Sequence, residues 1–232
     1  PEIQSSAFVT ESKPDISDAV QQMRQLHSPL LQQKCGCMRV LDMSQPMALD
    51  DIYTTVNLLE KISGRRRLEV ADLLKVCAST EFDRPGLGRS TQEPLRGLEV
   101  VQKYPKLIVL GKPGAGKTTF LKHVALQCDS GEILRDRLPI FITLKDYAEA
   151  SPAKSLLTYI SEQITSNDSH YLIDVEPILL QGKALILLDG LDEVRESDSY
   201  RVLQEVRHFT AKYHLNNFVI SCRLATREYT FE

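Results

Sequence analysis

The sequence predicts an α/β fold of three layers, in which a parallel sheet carries helices on both faces and a mostly helical segment precedes it. From Glu93 onward, short and almost wholly apolar segments alternate with longer segments whose apolar residues recur at helical spacing. Strands that are buried on both faces show such continuous apolar runs, and their alternation with helices is typical of parallel sheets. A glycine-rich loop separates the first of these strands from the helix that follows it.

The boundaries of these elements follow from the lengths of the apolar runs and from the turn residues between them. The predicted strands are 107–110, 139–144, 184–188 and 217–221, and the predicted helices are 117–127, 154–165, 175–180 and 198–213. We therefore expect a folded core at 93–232, preceded by a linker segment of helical and mixed structure at 1–92.

The N-terminal segment carries weaker signals. Apolar residues at helical spacing predict a helix over 15–33; they are Ile16, Val20, Met23, Leu26 and Leu30. Extended pieces are predicted at 38–43 and 52–56, a short helix at 68–76 and a loop around Pro85 to Gly88. The run Arg65-Arg66-Arg67 is interpreted as a solvated surface, with contact to nucleic acid or a partner as the alternative.

Composition narrows the function classes. With 42% hydrophobic and 25% charged residues, the chain has the make-up of a globular protein. Its net charge of -3 does not favour binding to nucleic acid or to anionic membranes. No apolar run approaches the roughly 18 residues of a membrane span. Five scattered cysteines are typical of a reducing compartment, so we expect a cytoplasmic protein without a disulfide framework.

The strongest functional signal is the glycine loop, Gly111-Lys112-Pro113-Gly114-Ala115-Gly116-Lys117-Thr118-Thr119. It matches the phosphate-binding loop G-x-x-x-x-G-K-[ST] and lies between a strand and a helix, as that motif requires. The glycines allow the backbone N–H groups to converge on phosphates, and the helix start adds partial positive charge. We expect Lys117 to reach the terminal phosphates and the Thr118 hydroxyl to bind Mg²⁺.

A second signal is the apolar strand that ends in Asp189 and is followed by Asp192 and Glu193. Parallel sheets bind ligands at the carboxyl ends of their strands, so Asp189 is predicted to hold Mg²⁺ beside the glycine loop. Glu193 is the first choice for the base that activates water, with Asp192 as the second. The alternative is that these two acids cap a helix or form ion pairs with an arginine.

A third strand ends at Ser221-Cys222-Arg223, at the same predicted edge of the sheet. Arg223 is predicted to sense or stabilise charge on the terminal phosphate, with a surface role as the alternative.

Together, these strand ends resemble the NACHT family of signal-transduction NTPases, in the STAND class of P-loop proteins. The resemblance spans about 93–226 and includes the small residue after the magnesium aspartate and the paired acids that follow, Asp189-Gly190-Leu191-Asp192-Glu193. The strand 139–144 and Gly182-Lys183-Ala184 are also similar to this family, notably to bacterial and cyanobacterial members. Ser221-Cys222-Arg223 departs from the commoner Ser-Arg pair.

The resemblance implies an ATP/ADP switch with Mg²⁺, in which exchange of ADP for ATP permits oligomers that activate an effector. It implies an effector domain before this region and winged-helix and sensor domains after it. Because the first residue is Pro1 and the last residues follow a strand, the chain is expected to be a piece of a longer protein. Without the domains that the resemblance implies, this piece is expected to bind nucleotide, to stay monomeric and to hydrolyse ATP slowly. The alternatives are a nucleic-acid motor or a kinase, and a nucleotide-binding scaffold without turnover.

Overall fold

The computed structural model describes residues 16–38, 47–49, 57–58, 95–164 and 174–223. Before the sheet it contains the helix α1 (Ile16–Cys35), four two-residue strands and the helix α2 (Gly97–Lys103). The short strands are β1 (Cys37–Met38), β2 (Met47–Ala48), β3 (Asn57–Leu58) and β4 (Leu95–Arg96), and they pair antiparallel as β1 with β2 and β3 with β4. The extended piece predicted at 52–56, the helix at 68–76, the loop around Pro85 and the three arginines lie outside the described residues.

The remaining elements alternate between strands and helices, as the sequence predicts. They are β5 (Lys106–Gly111), α3 (Lys117–Asp129), β6 (Leu138–Thr143), α4 (Leu144–Glu149), α5 (Leu156–Ile164), α6 (Glu176–Leu180), β7 (Ala184–Asp189), a 3₁₀ turn (Leu191–Glu193), α7 (Glu196–Lys212) and β8 (Asn217–Arg223). The strands form one parallel sheet in the order β5-β8-β7-β6. The predicted α/β fold is confirmed.

Two hydrophobic cores, one on each face of the sheet, follow from the alternation of side chains along the strands. Ile140, Ile186 and Leu188 pack with α4, α5, α6 and α7 on one face. On the other face, Leu185 and Leu187 pack with α2 and α3. All six residues of β7 are buried, which explains why this strand reads as a continuous apolar run.

The sequence misses two short helices and misjudges one helical face. Helix α4 begins at Leu144, which the sequence prediction assigns to the preceding strand because the residue is apolar. In the structure the Leu144 side chain is fully buried as part of the helix. Helix α2 has only seven residues, too few for a clear periodic pattern. In α1, the predicted apolar stripe includes Leu26, which is 56% exposed, whereas Arg24 and His27 are buried.

Helix α1 packs against the described core through apolar and polar contacts. It contributes Val20 and Met23 to the first core and Leu31 and Cys35 to the second, so it covers the β6 edge of the sheet. A helix that covers an edge strand prevents that edge from pairing with another chain.

Polar contacts from α1 also reach the C-terminal end of α3, the helix that follows the glycine loop. The guanidinium of Arg24 donates hydrogen bonds to the carbonyls of Cys128 (2.6 Å), Asp129 (2.9 Å) and Arg135. Ser28 Oγ donates to the Asp129 carboxylate at 2.7 Å. The last carbonyls of a helix lack partners within it, and a cation there also interacts favourably with the helix dipole.

One buried side chain joins the N-terminal ends of β7 and β8, and its removal should destabilise the fold. Asn216, fully buried, accepts a hydrogen bond from the Ala184 N–H (2.9 Å) and donates to the carbonyls of Leu179 (2.7 Å) and Tyr213 (2.8 Å). We expect Asn216→Ala to lower the free energy of unfolding by about 1 to 2 kcal/mol, because these buried groups lose a partner. Urea unfolding measures this change, and the exposed neighbour His214 supplies the control His214→Ala. Equal stability of the two variants would contradict the assignment.

Candidate functional site

The glycine loop connects the C-terminal end of β5 to the N-terminus of α3. Gly114 (φ 75°) and Gly116 (φ 78°) lie in the left-handed region, which side chains with a Cβ rarely adopt. A Cβ added at either position would meet no atom within 4 Å, so the space in front of the loop is open. The first turn of α3 holds no acidic residue, and no side chain caps it. The loop and helix start therefore present backbone N–H groups to an open surface, as anion binding requires.

Lys117 is folded back over this loop. Its ammonium group donates to the carbonyl of Gly111 at 2.8 Å and to that of Lys112 at 2.9 Å. Thr118, the next residue, is exposed. The cation thus lies at the mouth of the loop, held by neutral carbonyls that an anionic ligand can replace with a stronger charge-assisted contact.

Asp189 is the C-terminal residue of β7, at the same end of the parallel strands as the glycine loop, and it is only 5% exposed. Its Oδ1 atom accepts a hydrogen bond from Ser221 Oγ at 2.6 Å, and Ser221 Oγ in turn accepts one from the Gly190 N–H at 2.8 Å. Within the described part of the chain, Oδ2 of Asp189 accepts no hydrogen bond. A carboxylate that is oriented by one oxygen and open at the other fits a magnesium ligand or a ligand to magnesium-bound water.

The orienting residue, Ser221, has no role in the sequence prediction. The signal that could have identified it is a hydroxyl within the otherwise apolar run 218–222, in the strand that pairs with β7. Such a residue in the sheet interior needs a polar partner, and Asp189 is the buried acid within reach.

The acids after Asp189 fold back toward the neighbouring strand β8. Gly190 (φ 77°) reverses the chain, and the 3₁₀ turn then brings Asp192 and Glu193 to Arg223. The backbone N–H of Arg223 donates a hydrogen bond to Asp192 Oδ1 at 2.7 Å. In the Arg223 guanidinium, Nε lies 3.1 Å from Asp192 Oδ2 and Nη2 lies 2.8 Å from Glu193 Oε1. The three predicted residues therefore come together, in the ion-paired arrangement that the sequence left as an alternative.

The register of the sheet brings these groups to the glycine loop. Gly111 pairs with Arg223 across β5 and β8, and β7, which ends at Asp189, lies on the other side of β8. The loop, the buried carboxylate and the arginine with its two acids thus share one edge of the sheet. This is the edge at which open parallel sheets bind ligands.

The comparison with protein families agrees with this geometry. Residues 106–227, just over half of the chain, match the family model described as the NACHT domain. The chain belongs to the NACHT family. The matched range contains the whole glycine loop, the three acids Asp189, Asp192 and Glu193, and Arg223, so this NACHT domain is a nucleotide-binding P-loop NTPase module.

Other comparisons add little to the NACHT assignment. No curated protein matches the chain. A solved structure titled "Structure of C. elegans PCH-2" aligns with a TM-score of 0.33 and 15% sequence identity, covering 58% of this chain and 35% of that one. This chain therefore spans about a third of that protein's length. In the part of the chain that the structure describes, no helix is long and apolar enough to cross a membrane.

Proposed function

We propose that this NACHT domain is an ATP/ADP switch with slow, magnesium-dependent hydrolysis and that it serves signal transduction in a larger protein of bacterial type. The observation that carries the proposal is the contact of Arg223 with both Asp192 and Glu193. In this arrangement the candidate base and the candidate phosphate sensor neutralise each other. A domain built for rapid turnover needs these groups to be free and positioned before reaction.

The described residues fit a nucleotide with Mg²⁺. The loop N–H groups and Lys117 would hold the β- and γ-phosphates, and the Thr118 hydroxyl and Asp189 would hold the metal. Bound Mg²⁺ neutralises charge on the phosphate oxygens. Glu193, once released from Arg223, would accept a proton from the attacking water, and Asp192 would keep the Arg223 backbone in place through its hydrogen bond.

The switch follows from competition for Arg223. The γ-phosphate of ATP is an anion that competes with Glu193 for the guanidinium, whereas ADP lacks this group. ADP would therefore leave the ion pairs intact, and ATP would favour a state in which they are broken. A ligand shifts such an equilibrium only through its different affinity for the two states.

The remaining parts of the proposal rest on sequence and on family membership. They are a preference for adenine nucleotides, a domain boundary near residue 92, effector and sensor domains in the parent protein, assembly of the ATP-bound state and a cytoplasmic location.

Replacement of Arg223 tests the switch. We expect Arg223→Gln to weaken ATP binding by about tenfold while ADP binding changes little, because only ATP offers a γ-phosphate to the guanidinium. Calorimetric titration of both nucleotides with magnesium measures the two affinities. The control is Arg195→Gln, which removes another surface arginine. Its ion pair is with Glu149 at 3.0 Å and does not involve the acids of the 3₁₀ turn. If Arg223→Gln lost ATP affinity and ADP affinity equally, the switch would be rejected. The assignment of the nucleotide site would still stand.

A further inference from the structure

Thr143, the last residue of β6, is the register partner of Asp189 in the parallel sheet. Two residues before Thr143, Phe141 packs in the core on the α3 face of the sheet. The backbone of Thr143 is still extended (φ -83°, ψ 117°), so the alternation of side chains continues and places Thr143 on that same face. Asp189 follows Leu187 of this core by two positions in β7 and shares the face.

A row of three polar side chains therefore crosses the C-terminal end of the sheet. Strand β7, with Asp189, lies between β8, with Ser221, and β6, with Thr143. Ser221 takes the Oδ1 atom of Asp189 through its hydrogen bond at 2.6 Å, and Thr143 flanks the carboxylate from the other side. Adjacent strands are about 4.8 Å apart, a spacing that allows two side chains in register to share one bridging water.

The hydroxyl of Thr143 is not used by the fold. Thr143 is the N-cap residue of α4, where a threonine commonly accepts a hydrogen bond from the first turn, but no side-chain cap forms here. Among the described residues, neither this hydroxyl nor the Oδ2 atom of Asp189 has a hydrogen-bond partner. Neither belongs to the described polar atoms that are both enclosed and unpartnered, so water can reach both.

We propose that Thr143 and Asp189 together hold one water ligand of the nucleotide-bound Mg²⁺, an inference that rests on the proposed function. A metal-bound water donates two hydrogen bonds: Oδ2 of Asp189 accepts one, and the hydroxyl oxygen of Thr143 accepts the other. Mg²⁺ keeps several waters in a near-octahedral arrangement, and residues that orient its ligands contribute to its affinity. Thr143 is thus a positioning residue that favours Mg²⁺ over Ca²⁺, whose coordination is more flexible.

Thr143→Val tests this role, because valine keeps the branched shape and removes the hydroxyl. Calorimetry on the full chain gives the affinity for ATP with EDTA, with magnesium and with calcium. We expect Thr143→Val to reduce the enhancement of ATP affinity by magnesium about three- to tenfold, as loss of one hydrogen bond requires. The enhancement by calcium should fall less, and the metal-free affinity should stay unchanged. Thr143→Ser, which keeps the hydroxyl, should retain the magnesium enhancement.

Thr158→Val is the matched control, since it removes an exposed threonine hydroxyl from α5, which packs on the opposite face of the sheet. Unchanged magnesium enhancement in a folded Thr143→Val variant would overturn the proposal. Equal losses with and without metal, or lower stability in urea with normal metal dependence, would also overturn it and make Thr143 a structural residue. Thr143→Ala gives the same comparison if Thr143→Val does not fold. A wild-type chain without magnesium enhancement would refute the proposed nucleotide site as well, whereas the variant results refute this inference alone.

Discussion

Replacement of Lys117 by alanine is expected to weaken binding of magnesium-ATP by about tenfold to a hundredfold. The lysine supplies a charge-assisted contact to phosphate worth about 1.5 to 3 kcal/mol. Its ammonium group already lies at the mouth of the glycine loop, where it donates hydrogen bonds to the carbonyls of Gly111 and Lys112. Calorimetric titration measures the change in affinity.

Lys106→Ala is the matched control for Lys117→Ala. It removes the same charge from the opposite end of β5, where the side chain is exposed and distant from the loop along the strand. Circular dichroism and urea unfolding show whether Lys117→Ala remains folded without its two carbonyl contacts. If a folded Lys117→Ala variant bound magnesium-ATP as tightly as the wild type, the loop would not be the phosphate site.

Replacement of Glu193 by glutamine is expected to reduce ATP hydrolysis by about a hundredfold to ten-thousandfold, the usual contribution of a general base. Binding of ATP should persist, since a base acts on the attacking water in the transition state and not on the bound nucleotide. The glutamine also weakens the contact with Arg223, which removes a charge-assisted bond at 2.8 Å. Phosphate release at saturating ATP measures hydrolysis, and titration measures binding.

Glu196→Gln is the control for this prediction, because Glu196 is an exposed acid of the next helix, three residues further along the chain. Asp192→Asn provides a second comparison: if Asp192 is the base, its replacement will abolish hydrolysis and Glu193→Gln will not. Parallel loss of binding and hydrolysis in Glu193→Gln would show that Glu193 serves nucleotide binding instead.

The sheet and the loop could be predicted from sequence because local patterns encode them. A strand such as β7, buried at all six positions, must be apolar throughout, and the glycines at 114 and 116 mark backbone that other residues rarely adopt. The strand ends then fall at one edge because the strands are parallel.

The contacts between distant residues could not be predicted in this way. Whether Arg223 faces phosphate or pairs with Asp192 and Glu193 depends on the register of β8 against β7 and on the turn after Gly190. The role of Arg24 depends on a contact with carbonyls about a hundred positions away along the chain. In sequence, Arg24 is a polar residue of an amphipathic helix and carries no sign of burial.

We propose that the glycine loop and Asp189 form one magnesium-dependent nucleotide site. Calorimetric titration of ATP with and without magnesium tests this most directly. The wild-type chain should bind ATP at one site and more tightly with magnesium. Asp189→Asn should lose this enhancement while it keeps magnesium-free binding, since the amide oxygen can still accept the Ser221 hydrogen bond. A wild-type chain that binds neither ATP nor ADP with magnesium, or an Asp189→Asn variant with undiminished magnesium dependence, would contradict the account.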